Sequence, residues 1–119
     1  MKIMFVSAAN STHTVRWVNA LAERGHEVYL VSNRGHEPKE DALNSRVKLY
    51  LMKHSGGKGY YLNAGELRKI AKRINPDVIN VHYASGYGTL ARKARLPKYI
   101  LSVWGSDVYD FPYESRVKN

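Results

Sequence analysis

The sequence predicts an α/β fold: a mostly parallel sheet with helices on both faces, wound in two directions from its middle. Three observations predict it. Runs rich in β-branched and aromatic residues alternate with segments whose apolar residues recur at helical spacing, and this happens at least three times along the 119 residues. The first run, Lys2–Ala8 (KIMFVSA), is almost continuously apolar, as a strand covered on both faces must be. Length supplies the third: 119 residues fit one ordinary domain, and such a chain buries roughly 65% of its unfolded surface, enough for one core.

The elements follow in order. After the first strand, Asn10-Ser11-Thr12 breaks the pattern and offers Ser11 and Thr12 as helix caps. In HTVRWVNALAERGHE, Val15, Val18, Leu21 and Ala22 form one apolar stripe, and Gly25 ends the helix. Glu27–Asn33 reads as the second strand. Arg34–Arg46 is polar, contains Pro38 and reads as a loop, so the second and third strands are joined without a helix. Val47–Met52 alternates and reads as the third strand. Lys53–Gly65 is glycine-rich and reads as a mobile loop, with Asn63 placed to cap the helix Glu66–Ile74. Leu67, Ile70, Ala71 and Ile74 form that helix's stripe, and Asn75-Pro76-Asp77 stops it. Asp77–His82 is the fourth strand, Thr89–Leu96 a short helix, Pro97 a stop and Lys98–Trp104 the fifth strand. Right-handed crossovers then give the strand order 3-2-1-4-5 in a Rossmann-like, doubly wound three-layer sandwich.

Composition bounds the function. Hydrophobic residues make up 44% of the chain, a globular share. Lys and Arg number 19 against 10 Asp and Glu, a formal net charge of +9. That excess suits nucleic acid, an anionic membrane surface or phosphate-bearing small molecules, or it is a solvated basic surface. The absence of cysteine excludes disulfides and thiolate metal sites. Apolar runs such as Ile3–Val6 are too short for a transmembrane helix or a signal peptide. No GxGxxG follows the first strand, and neither GxxxxGK[ST] nor HExxH occurs. His13, His26, His36, His54 and His82 are scattered, so neither a metal site nor a cofactor is expected.

In a sheet of this order, ligands sit outside the carboxyl ends of the strands where the winding reverses, between strands one and four. Three polar clusters converge there: Asn10, Ser11, Thr12, His13 and Arg16; His82, Tyr83, Ser85, Gly86 and Gly88; and Trp104, Gly105, Ser106 and Asp107. The helix beginning near His13 presents backbone N–H groups and a positive dipole end, which favour an anion such as a phosphate. Each cluster also has a purely structural reading: Asn10, Ser11, Thr12 and Asp107 as helix caps, and His82 as a satisfied histidine at a strand end.

Three segments in this order resemble family 4 glycosyltransferases of the GT-B fold. STHTVRWVNALAERGHEVYLVSN is similar to the family's opening, whose helix often ends in RGHEV, here Arg24–Val28. PDVINVHYASGYGTLA is similar to the fourth strand with its terminal histidine, and SVWGSDVY to the HG-x-D stretch after strand five. The resemblance covers nearly the whole chain. It implies half of a GT-B enzyme: residues 1–119 as the acceptor-side domain, with the C-terminal nucleotide-sugar-binding domain absent. It further implies a retaining, metal-independent transferase of the hexosyltransferase type, acting in polysaccharide or glycoconjugate biosynthesis and inactive as this half alone.

Carried onto this sequence, the resemblance places Asp107, Ser106 and Trp104 at the reacting sugar, with Gly105 between them. Trp104 stands where many members have a histidine, and the first loop, Ala8–Thr12, lacks their paired glycines. His82, Tyr83 and Ser85 would line the acceptor side, and Asn10, Ser11, His13 and Arg16 would lie nearest the domain cleft. The implied partners are a nucleotide sugar shared with the second domain and a saccharide or lipid-linked acceptor. Arg68, Lys69, Lys72 and Arg73 would face an anionic membrane, at up to ~1 kcal/mol per cation. The implied location is the cytoplasm, with peripheral attachment to the inner face of the cell membrane. Two other classes stay open: a non-catalytic subunit that recruits a separate catalytic chain to the membrane, and a basic nucleic-acid-binding α/β domain, for which no reading motif is present.

Overall fold

In the computed structural model, residues 1–82 and 86–102 are described. The elements run β1 (Lys2–Val6), α1 (Thr12–Glu23), β2 (Glu27–Arg34), β3 (Lys48–Ser55), α2 (Gly59–Leu62), α3 (Ala64–Ile74), β4 (Val78–His82), α4 (Tyr87–Lys93) and β5 (Ile100–Ser102). The sheet is five-stranded in the order β3-β2-β1-β4-β5. All four neighbouring pairs are parallel, with Met4 opposite Tyr29 on one side of β1 and Ile79 on the other.

The sheet carries an apolar layer on each face. Ile3, Phe5, Val28 and Leu30 pack with Val18 and Ala22 of α1. Met4, Val6, Val31, Ile79 and Val81 pack on the opposite face with Leu67, Ala71 and Ile74 of α3 and Leu90 and Ala91 of α4. Alternate residues of β1 therefore point into two cores, which is why its sequence is continuously apolar. The predicted stripe of α1 is rotated slightly: Thr14, Val18 and Ala22 are its buried residues, so a hydroxyl occupies the top of an otherwise apolar face.

Helix ends obey their chemistry. At the end of α1, Gly25 has φ +92°, its N–H donates to the Ala22 carbonyl and the His26 N–H to that of Leu21, a Schellman closure. The end of α4 has the same closure, from Arg95 to Arg92 and from Leu96 to Ala91, but its left-handed residue is Arg95 at φ 54°. α3 ends at Asn75, left-handed at φ 51°, a conformation asparagine tolerates.

Several boundaries differ from expectation. The glycine-rich segment 53–65 contains the end of β3, the short helix α2 and the first residues of α3. Asn63 occupies the N-cap position of α3, but its side chain makes no cap bond there. It instead bridges β3: its Oδ1 accepts from the His54 N–H at 3.0 Å and its Nδ2 donates to the His54 carbonyl at 2.9 Å. α4 begins two residues earlier than the sequence suggests, because Gly86, at φ 87°, supplies its N-cap in place of a polar side chain.

Candidate functional site

The carboxyl ends of β1 and β4 lie side by side, and α1 leaves from the first while α4 follows the second on the opposite face. This is the winding reversal that the strand order requires. Ala8–Ser11 forms a tight turn, closed by the Ser11 N–H on the Ala8 carbonyl at 3.1 Å. Asn10 sits exposed in that turn, Ser11 is half-buried, and His13 and Arg16 are exposed on the first turns of α1. Ser11 is the N-cap, yet its side chain makes no cap bond, and the first turn of α1 carries no acidic residue. The positive end of this helix is thus not neutralised by its own side chains.

Beneath this rim lies a buried polar cluster. Ser7 Oγ is 2.8 Å from His82 Nδ1, Thr14 Oγ1 is 3.3 Å from the same nitrogen, and the two hydroxyls hydrogen-bond each other. Ser32 Oγ donates to the Ser7 carbonyl. His82 is 3% exposed and packs edge-on against Phe5. Burial pushes its pKa down to about 4, and the nearby His13 adds to the shift. The imidazole is therefore neutral at physiological pH. The cluster ties the first loop and α1 to the end of β4.

A second buried cluster adjoins it at the carboxyl end of β2. The Tyr87 hydroxyl accepts from the Asn33 N–H at 2.9 Å and lies 2.6 Å from His36 Nδ1, to which it can donate. Burial raises the phenol's pKa, so it remains protonated. Asn63 Nδ2 donates to Asn33 Oδ1 at 2.8 Å, while Asn33 Nδ2 is buried without a hydrogen-bond partner among the described residues. Tyr60 packs edge-on against Tyr87. The network pins the β2–β3 loop, α2 and α4 to one another.

Of the residues singled out from sequence, Asn10, Ser11, His13, Arg16 and His82 gather at this edge, the first four at its rim and His82 beneath them. Tyr83, Ser85, Trp104, Gly105, Ser106 and Asp107 lie outside the described residues. Arg68, Lys69, Lys72 and Arg73 are exposed on α3. Sequence reasoning missed Ser7, Thr14, Asn33 and Tyr87. Two of these carried a signal: Ser7 is a polar residue closing an apolar strand, and Thr14 stands four residues before Val18 on the buried stripe. Among the described residues, no group of three or more His, Cys, Asp or Glu could hold a metal ion, and no helix is long and apolar enough to cross a membrane.

Comparisons with known proteins agree with this architecture. Among solved structures, glycinamide-RNase-transformylase T from Mycobacterium tuberculosis is similar at 17% identity with a TM-score of 0.56, over 85% of this chain and 28% of that one. A UDP-galactose 4-epimerase is similar at 13% identity with a TM-score of 0.46, over 71% of this chain and 38% of that one. The first likeness shows a shared fold; the second is too distant to add to it. The chain spans well under half the length of either. A search of curated proteins finds no significant match. The model of the glycosyl transferase 4-like family matches residues 2–119, all but the first residue, and the chain belongs to that family.

Proposed function

We propose that this domain forms the acceptor side of a retaining glycosyltransferase that moves a sugar from a nucleotide-sugar donor to a saccharide or lipid-linked acceptor. The observation that carries the reading is the rim at the winding reversal. There the uncapped first turn of α1 stands beside exposed Asn10, His13 and Arg16, in a chain whose family is a transferase family. Exposed hydrogen-bonding side chains suit the hydroxyls of an acceptor, and a helix N-terminus beside an arginine suits the phosphate of a lipid-linked one. The donor would be shared with a second domain across the cleft. Asp107, Ser106 and Trp104 follow β5 and would border the transferred sugar.

A membrane-facing role for the basic surface has its own support. Tyr61 and Leu62 are exposed on α2 at 58% and 56%, and Lys93 Nζ lies 5.3 Å from the centre of the Tyr61 ring. Together with Arg68, Lys69, Lys72 and Arg73 of α3 they make an aromatic and cationic surface of the kind that suits anionic lipid. The same surface is what a membrane-recruiting subunit would need.

The test is an assay of the protein as encoded against a panel of nucleotide sugars, with release of the nucleoside diphosphate as the readout. Turnover that Asp107→Asn lowers by about 10–100-fold, the loss of one charge-assisted hydrogen bond, is the expected result. Vesicle binding without affinity for any nucleotide sugar would replace the transferase reading with the recruiting one.

A further inference from the structure

The opposite edge of the sheet carries a feature that the crevice does not use. α3 and α4 end side by side there, tied by Arg68 Nε donating to the Ala94 carbonyl at 3.2 Å. Between them is a groove of about 380 Å³, within the rough 300–1,000 Å³ range of small-molecule sites. Arg68, Lys72, Arg95 and Asn75 supply its polar groups over a floor that includes Ala71 and Leu96, and no acidic side chain among the described residues lines it. Pro76 and Pro97 also line it and carry no N–H, so an anion here would be held by side chains.

Cations near helix C-termini commonly do no more than neutralise terminal carbonyls. Arg68 does this for Ala94, but the carbonyls leave nothing for Lys72 and Arg95 to neutralise. Ile74 O accepts from Lys2 Nζ at 3.1 Å and Ala94 O from Arg68, while the Arg92 and Ala91 carbonyls are closed by the backbone of Arg95 and Leu96. Lys72 and Arg95 have no ion-pair or side-chain hydrogen-bond partner among the described residues. Arg95 is also the wrong residue for its backbone. The same Schellman closure on α1 uses Gly25, and an arginine in the left-handed conformation costs stability that glycine avoids. The strained position sets the Arg95 side chain at the same groove as Arg68 and Lys72.

We propose that this groove binds a phosphate monoester, free or as a lipid headgroup, through Arg68, Lys72 and Arg95. The Arg95 fork, the terminal amino groups that Arg68 keeps beside its Nε bond to Ala94, and the Lys72 ammonium match the oxygens of a dianionic phosphate. The site lies at the opposite sheet edge from the crevice and does not rest on the transferase reading, although its Arg68 and Lys72 also belong to the surface proposed above to face anionic lipid.

Backbone-amide NMR titration with inorganic phosphate at pH 7.5 and constant ionic strength tests it. A flotation arm uses phosphatidylcholine vesicles with and without phosphatidic acid. The expected result is saturable shifts confined to residues 68–76 and 94–97, or flotation that requires phosphatidic acid. The first identifies a soluble phosphate compound as the source, the second a lipid. Arg95→Gly is expected to weaken binding at least about tenfold, the loss of one charge-assisted contact, while the melting temperature stays level or rises. Lys72→Ala should weaken it similarly, and the double variant Lys39→Ala/Arg46→Ala, which removes the same charge as Lys72→Ala with Arg95→Gly but from the β2–β3 loop, should not. Absence of both phosphate and phosphatidic acid binding, or equal losses in the two double variants, would overturn the proposal and leave the crevice reading untouched.

Discussion

His82 shows how one side chain links packing to the site. It sits at the carboxyl end of β4, 3% exposed, with Ser7 and Thr14 both on its Nδ1. Because burial depresses its pKa from 6.5 to about 4, the unfolded chain binds the proton more readily than the folded one. Stability from this group is therefore present in full above pH 6.5, falls as pH drops from 6.5 towards 4, and is absent below. The shift corresponds to at most about 3 kcal/mol. His82→Asn keeps a polar atom near Nδ1 and removes the titration. Denaturant unfolding at a series of pH values should show the wild type losing stability relative to this variant across that window. A constant difference would mean that the imidazole is not held neutral by the fold.

At the scale of elements, glycines separate close approach from mere permissiveness. A Cβ on Gly59 would stand 2.6 Å from the His54 carbonyl oxygen and 3.1 Å from Asn33 Nδ2, whereas one on Gly65 meets nothing within 4 Å. Gly59→Ala should destabilise by about 1–3 kcal/mol, the usual cost of overpacking. Gly65→Ala, in an exposed position of α3, should stabilise by roughly 0.5–1 kcal/mol. Thermal unfolding of both variants checks the pair, and similar effects would show that α2 is not packed as described. The same region marks the limit of what the sequence reveals. β1, α1 and α3 were legible because their apolar spacing extends over whole strands or several turns. α2 was not, because a four-residue helix has no period to read. Asn63 was correctly placed at a helix start, but its amide bonds β3 and Asn33, a long-range choice that local capping rules cannot anticipate. Thr14 was passed over because hydrophobic spacing is blind to a buried hydroxyl whose partners, Ser7 and His82, come from two strands.

At the scale of the molecule, the strand order followed from the alternation of elements and the handedness of crossovers, and the order in turn located the rim of Asn10, Ser11, His13 and Arg16 above His82. The two edges of the sheet are chemically unlike. The carboxyl edge holds neutral buried networks beneath exposed polar side chains; the amino edge holds a cationic groove between two helix ends. A net charge of +9 is therefore not spread evenly in its consequences. Among the described residues, Arg68, Lys72 and Arg95 gather at the groove between α3 and α4, while the rim carries Arg16 beside Asn10, Ser11 and His13.

The central claim is that this domain serves the acceptor. The most direct measurement is steady-state kinetics of the protein as encoded, varying donor and acceptor separately, for wild type, Asn10→Ala and Arg16→Ala. The account predicts that both substitutions raise the acceptor KM, Arg16→Ala by about 10-fold or more for a lost charge-assisted contact and Asn10→Ala by about 2–10-fold for a neutral one, and leave the donor KM within about twofold. A rise confined to the donor KM would contradict it and assign the rim to the nucleotide sugar.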